Sequence, residues 1–474
     1  MSETVLQKEK VKEIFGPLSV DKRRLPSSGL TKLGIPSYVG EWILDEITPG
    51  EGELSKEELE EILAFADSML PKKNEQGVYK HRLLTGEIVQ LLAYMSVEID
   101  ITRTKRTREA KIPALGFKDC WISDDLVEVH HDLLKQGMWG IVHLSLSRNE
   151  GGVRIMDFEP MQASVNLPLY YEKREEFNSD EWRFLMLMSA GYNPAAYSVT
   201  EQIWILCRLL PLVQKNMHLM ELAPKGTGKS YLYEQISPRV RLISGGNVTP
   251  AVLFVNNQTG QEGLLARFDV VVLDEVQKLK FSYPEEIIGV LKGYLANGRI
   301  TRGGKVEIAS DCGLVLLANI PLDENQQPLS ELLVEHLPYF MRETAFLDRF
   351  RGIIPGWEIA KFRQEMIANG VGLKADFFSD TLTAMRHETM HEEWVRRHTQ
   401  FVKQTDIRDQ EAIIATASGL LKILYPDLNV NEEEFNNFCL QPAVTMRQYI
   451  RNQLWLLDAE YRQTEKQLQA QPIQ

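Results

Sequence analysis

Two clusters of residues have the types and spacing that chemistry requires. The first lies inside "HLMELAPKGTGKSYLYEQI", where a short apolar run, a Gly-rich turn and a helix opening follow one another. That is the context of a phosphate-binding loop. Gly226 and Gly228 let backbone N–H groups close around phosphate oxygens, helped by the positive end of the following helix. Lys229 reaches the β- and γ-phosphates and Ser230 holds Mg²⁺. Thr227 and Tyr231 belong to the same nucleotide-binding set. Ala223 occupies the first glycine position of G-x-x-x-x-G-K-S; it is small but does not easily take positive φ. Downstream, "RFDVVVLDEVQ" places Asp274 at the C-terminal end of the apolar run 270–273, where ligands bind in parallel sheets. Asp274 is expected to hold Mg²⁺ through water, and Glu275 to act as general base on the attacking water. A third run, "GLVLLANI", ends at Asn319, an amide suited to orient that water or sense the γ-phosphate. The implied chemistry is ATP hydrolysis with Mg²⁺.

The second cluster is "HETMH", residues 387–391, which spells H-E-x-x-H. On one helix it would put two imidazoles side by side for zinc, with the glutamate as general base. Glu411 has the sequence spacing of a third ligand, but "DQEAIIAT" lacks the pattern expected around one. The surrounding "MRHETMHEEWVRRH" is charged on most sides and reads as an exposed helix. A zinc peptidase therefore ranks below the ATPase reading.

Both clusters need a scaffold. The chain has 474 residues, 44% of them hydrophobic and 25% charged, which is ample for several globular domains. Its net charge of −13 argues against bulk electrostatic adhesion to nucleic acid while leaving room for a local basic channel. Cys120, Cys207, Cys312 and Cys439 are widely spaced without a C-x-x-C, so a reducing, cytoplasmic setting is expected. The longest apolar run, "IWILCRLLPLV", is cut by Arg208 and Pro211, so no membrane span is expected.

Residues 1–35 read as a flexible N-terminal segment. Residues 36–170 read as an α+β domain with a helix over 54–70, started by a Ser55/Glu58 capping box. Its strand-like runs "LLAYMSVEIDITR", "GMWGIVHLSLS" and "GVRIMDFEPM" suit an OB-like or up-and-down barrel. From 171 to 356 strands and helices alternate, which predicts a parallel α/β sheet flanked by helices. Residues 357–474 read as helical, ending in a frayed tail.

The order of motifs resembles the AAA+ superfamily. Within it, "RLLPLVQKNMHLMELAPKGTGKSYLYEQISP", "VVVLDEV", "GRITRGGKVEIASDCGLVLLANI" and "TAFLDRFRGIIPGWEI" are similar to the BrxL family of BREX phage-defence systems. The resemblance implies an AAA+ core over 171–356 and a helical lid over 357–474. It also implies an arginine finger at Arg349 or Arg351, a sensor arginine at Arg447, and a homo-oligomeric ring of six or seven copies in which rings can stack. Many members continue into a Lon-protease-like domain with a Ser-Lys dyad. No serine and lysine here sit in such a setting, so proteolysis is not expected of this chain.

Cations in two places suit duplex DNA. "RITRGGKVEI" predicts a hairpin bearing Arg299, Arg302 and Lys305, which in the MCM-like arrangement points into a ring pore. "DITRTKRTREAK" contributes Arg103, Lys105 and Arg106 to a basic loop in the N-terminal domain. The expected partners are double-stranded DNA, further copies of the chain and other BREX proteins. The rival is a protein unfoldase gripping polypeptide through Phe281 and Tyr283.

Overall fold

The computed structural model describes all residues except 1–2, 73, 102–105, 148–151, 162–164, 259, 303–305, 403–404 and 474. Arg103, Lys105, Lys305 and the Gly303-Gly304 tip therefore lie outside the described residues. The chain forms two compact units: Arg23–Ala163, and Met1–Lys22 together with Ser164–Gln474.

In the Arg23–Ala163 unit, the expected capping box starts the helix Lys56–Met69. Glu58 N donates to Ser55 Oγ at 3.1 Å, and Ser55 N donates to Glu58 Oε2 at 2.8 Å. The β-branched and aromatic runs close into a five-stranded barrel. Its neighbours, in order, are Val89–Ile101, Arg106–Ile112, Phe117–Trp121, Gly152–Pro160 and Met138–Ser147, the last pairing back onto the first. Phe117–Trp121 and Gly152–Pro160 run parallel, and the helix Asp124–Val129 follows the former. Period-two burial along Met138–Ser147 sends Val142 and Leu144 inward. Arg106 opens its strand at the end of the basic loop.

The other unit is built on a five-stranded parallel sheet. Its spatial order is Gly352–Pro355, Leu219–Ala223, Gly313–Asn319, Val270–Asp274 and Val240–Ser244. Every residue of Leu219–Ala223 and Val270–Asp274 is buried, the charged Glu221 and Asp274 included, as strands in a sheet covered on both faces should be. Residues 1–35, read as flexible, contain the helix Glu3–Phe15, whose Phe15 is buried among Tyr170, Phe177, Trp182 and Phe377.

After Trp357 the helices Ala375–Ala384, Met390–His398, Ile407–Leu424 and Gln441–Leu457 dominate. The tail is not frayed. Ala470–Pro472 pairs with Thr399–Phe401, and Leu468 and Ala470 are buried, because two apolar residues in a polar tail suffice to dock it. Among the described residues no helix is long and apolar enough to cross a membrane.

Candidate functional site

The tips of three adjacent strands carry the residues of the first cluster. Leu219–Ala223 leads into the loop 224–228 and the helix Lys229–Gln235. Gly226 and Gly228 adopt φ of 86° and 70°, a region that costs other residues strain. A Cβ on Gly228 would also press on the Phe362 ring at 3.1 Å. Ala223 needs no such freedom. It is the last residue of its strand, is absent from the positive-φ positions, and packs where a Cβ on Gly356 would come within 2.5 Å. The small residue required there is supplied by Gly356 as well as Ala223.

Lys229 is nearly buried and its Nζ donates to Asn319 Oδ1 at 2.6 Å. Ser230 Oγ donates to Asp274 Oδ2 at 2.9 Å, while the Glu275 N–H donates to Asp274 Oδ1 at 2.8 Å. Asn319 Nδ2 donates to Glu275 Oε1 at 3.2 Å, and Lys278 Nζ donates to both Glu275 oxygens at 2.7 and 2.8 Å. Glu275 itself takes a left-handed φ of 45°, which turns its side chain at the strand end toward Asn319. Burial lowers the pKa of Lys229, against the pull of Glu221 and Asp274. The Lys278 hydrogen bond holds Glu275 below the ordinary glutamate value, so it stands ionised. An open cavity beside the loop is bordered by Lys225, Asn319, Asp323 and Lys361. Cationic and hydroxyl donors thus meet a carboxylate pair at the strand tips, which suits a phosphate chain with a divalent cation.

The remaining candidates make other contacts. Thr227 is buried, and Tyr231 lies against Phe362, with ring centroids 5.3 Å apart. Arg349 donates to the Ala345 carbonyl. Arg351 is half-buried; desolvation and nearby Arg447 lower its pKa. Arg447 is buried in an ionic network with Asp348 and Asp409, each at 2.6 Å. Arg299 pairs with Glu307 and Arg302 with Glu286, both at 2.6 Å. Three residues went unnoticed in the chemical reading: Glu221, Arg208 and Lys278. The first two had a signal, since each is a charge embedded in an apolar run.

The H-E-x-x-H cluster does not form on one helix. Met385–His387 is a 3₁₀ turn, Glu388 is extended, and the next helix begins at Met390. Nor is that helix exposed all round, because His391 is fully buried and its Nε2 lies 2.9 Å from the Pro426 carbonyl, which it meets as a donor. Glu411 is taken by Arg396. Among the described residues no group of three or more His, Cys, Asp or Glu is placed to hold a metal ion. Burial pushes the His391 imidazole down to about 4. The unfolded chain therefore takes up a proton near pH 6.5 that the folded chain refuses, and stability falls as pH drops from 6.5 toward 4. His391→Gln, which can still donate to Pro426, is expected to remove about 2 kcal/mol of the stability lost between pH 7 and pH 5. Urea unfolding at the two pH values checks this; an unchanged slope would remove the account.

Comparison with known proteins identifies the scaffold. Residues 153–467 match the family model described as "Lon-like protease BrxL-like, ATPase domain". Residues 13–146 match that described as "BREX system Lon protease-like protein BrxL N-terminal". The chain belongs to the BrxL family. It is 31% identical over 363 residues to "Lon-like protease BrxL" of Escherichia coli O9:H4 (strain HS), covering 76% of this chain and 52% of that protein. It is 29% identical over 428 residues to the "Lon-like protease BrxL" of Bacillus cereus (strain H3081.97), covering 89% of this chain and 62% of that protein. The "Uncharacterized protein ORF426" of Acidianus filamentous virus 1 is 25% identical over 276 residues, covering 50% of this chain and 61% of its own length. The chain thus spans about half to three fifths of these relatives. BrxL membership implies a P-loop, AAA+-like fold for the parallel-sheet unit, most of whose residues match the BrxL ATPase-domain model. Ser418 and Lys422 lie one turn apart on Ile407–Leu424, but both are buried, and Lys422 Nζ donates to Gln214 Oε1 at 2.8 Å.

Proposed function

We propose that this chain is a cytoplasmic, ring-forming ATPase that holds or moves along duplex DNA in BREX-type phage defence. The supporting observation is the convergence of Lys229, Ser230, Asp274, Glu275 and Asn319 at three neighbouring strand tips. In this reading Lys229 and the N–H groups of residues 226–231 hold the phosphates of ATP, and Ser230 and Asp274 hold Mg²⁺, which neutralises phosphate charge. Glu275, oriented by Asn319, accepts a proton as water attacks the γ-phosphorus and ADP leaves with the bridging oxygen. Arg349 acts in a neighbouring subunit's site, Arg447 serves the lid, and the ring has six or seven copies that can stack. DNA meets Arg299, Arg302 and Lys305 of "RITRGGKVEI" and Arg103, Lys105 and Arg106 of "DITRTKRTREAK". The barrel's strand order is that of an OB fold, whose open face commonly holds nucleic acid. Other BREX proteins are the natural further partners.

ATP turnover measured with and without duplex DNA tests the core of this reading. Stimulation by DNA and salt-dependent binding are expected; hydrolysis indifferent to DNA together with no salt-dependent binding would overturn it. Arg302 must exchange Glu286 for a phosphate on binding. Arg302→Ala/Lys305→Ala is therefore expected to weaken DNA binding alike across sequences and to lower the salt slope by about one to two units. Unchanged affinity would remove the hairpin from the interface. A polypeptide-gripping alternative draws on Tyr283, which is 72% exposed at a left-handed φ of 58°. Its expected signature is stimulation by unfolded protein rather than DNA.

A further inference from the structure

Directly beneath the Gly-rich loop lie two charges that the hydrolytic reading does not use. Arg208 and Glu221 are both fully buried. Arg208 Nε and one terminal nitrogen donate to the two Glu221 oxygens at 3.0 and 2.6 Å, a bidentate pair. The same terminal nitrogen lies 3.3 Å from the Thr227 carbonyl, and the other donates to the Tyr192 hydroxyl at 3.2 Å. That hydroxyl in turn stands 3.5 Å from the Gly228 carbonyl. Two consecutive carbonyls of the loop are therefore turned inward toward a buried donor set.

The peptide plane gives this arrangement a consequence. In a trans peptide the carbonyl and the following N–H point in opposite directions. Drawing the Thr227 carbonyl toward Arg208 turns the Gly228 N–H away from the protein interior, and drawing the Gly228 carbonyl toward Tyr192 does the same for the Lys229 N–H. Both then face the opening where an anion would sit. The surroundings are shaped to keep the pair: a Cβ on Gly356 would come within 3.0 Å of Glu221 Oε1, and Thr227 turns its own side chain inward. An apolar pair of similar volume commonly serves stability at least as well as a buried ion pair, so packing alone does not call for these charges.

We infer that Arg208, held by Glu221, is a positioning residue that presets the loop's N–H groups for nucleotide phosphates and so governs affinity for ATP. The inference rests on the proposal that the loop binds ATP. A particular separation of effects is expected in the intact 474-residue chain. Arg208→Met/Glu221→Met removes both charges together and leaves neither partner orphaned. It is expected to melt close to the wild type while KM for ATP and the dissociation constant of a fluorescent ATP analogue rise by about tenfold or more, with a smaller change in kcat. Arg208→Lys keeps the ion pair with Glu221 but loses the second fork toward Thr227 and Tyr192. It should also raise KM, whereas a purely structural pair would be rescued by it. Tyr192→Phe removes only the hydroxyl between Arg208 and Gly228 and is expected to raise KM by about two- to fivefold without loss of folding.

If the double variant does not fold, the two single variants decide. Unchanged nucleotide affinity and KM in the folded variants, with the wild type active, would overturn the positioning role and leave the ATPase reading standing. A wild-type chain that binds no nucleotide would overturn both.

Discussion

Glu275→Gln is expected to lower steady-state ATP hydrolysis by about 10²–10⁴-fold while nucleotide binding persists. The carboxamide has the volume of the carboxylate and can still meet Asn319, whose Nδ2 lies 3.2 Å from Glu275 Oε1. What it loses is the capacity to take the proton of the attacking water. It also loses the charge that Lys278 neutralises through two hydrogen bonds. Because this ion pair is partly exposed, its removal should cost little stability, so a fall in rate reports chemistry rather than unfolding. Phosphate release gives kcat, and a fluorescent nucleotide gives affinity. A variant that hydrolyses ATP at the wild-type rate would exclude Glu275 as the base.

Arg447→Ala should be the most damaging single substitution for stability among the candidate residues, costing about 3–5 kcal/mol. Its guanidinium donates to Asp409 Oδ1 and Asp348 Oδ1, each at 2.6 Å. It also donates to the carbonyls of Asp348 and Phe350 at 3.0 and 2.6 Å. Asp409 retains Arg451 at 3.3 Å, and Asp348 retains the exposed Arg408. Truncation would leave two buried carboxylates short of their central counter-charge. Burial alone would raise the Asp348 pKa, but Arg447 and Arg408 hold it below the ordinary aspartate value. Its contribution is therefore present above the unfolded aspartate pKa and is lost as pH falls through the lower folded one. The stability from urea unfolding should fall strongly for Arg447→Ala and by about 1 kcal/mol or less for Arg408→Ala, whose side chain is 58% exposed. If Arg447→Ala unfolds like the wild type and loses only ATP turnover, Arg447 acts as a sensor and not as the centre of this network.

Much of the candidate site was legible because its signals are local. A glycine pair beside a lysine and serine, a carboxylate pair after four apolar residues, and an asparagine ending another apolar run each announce a strand tip without reference to the rest of the chain. The capping box at Ser55 was legible for the same reason, since both its hydrogen bonds span three residues. The H-E-x-x-H pattern, already ranked below the ATPase motifs, assumes one continuous helix, and that helix does not form. The backbone at Glu388 is extended and breaks the period, while His391 turns into the protein to meet Pro426, a carbonyl 35 residues away in sequence.

The residues alone determined that a phosphate-binding type of loop would be followed by two polar strand ends, and the BrxL likeness was readable from those motifs. Which charges would find each other was decided only in three dimensions. Arg208 and Glu221 are 13 residues apart on different elements, and Arg447 and Asp348 are 99 apart. Sequence shows such charges as interruptions in apolar runs. Whether each is an exposed defect or half of a buried pair depends on the partner that chain folding brings within about 3 Å, because only a close, desolvated partner offsets the cost of burying a charge.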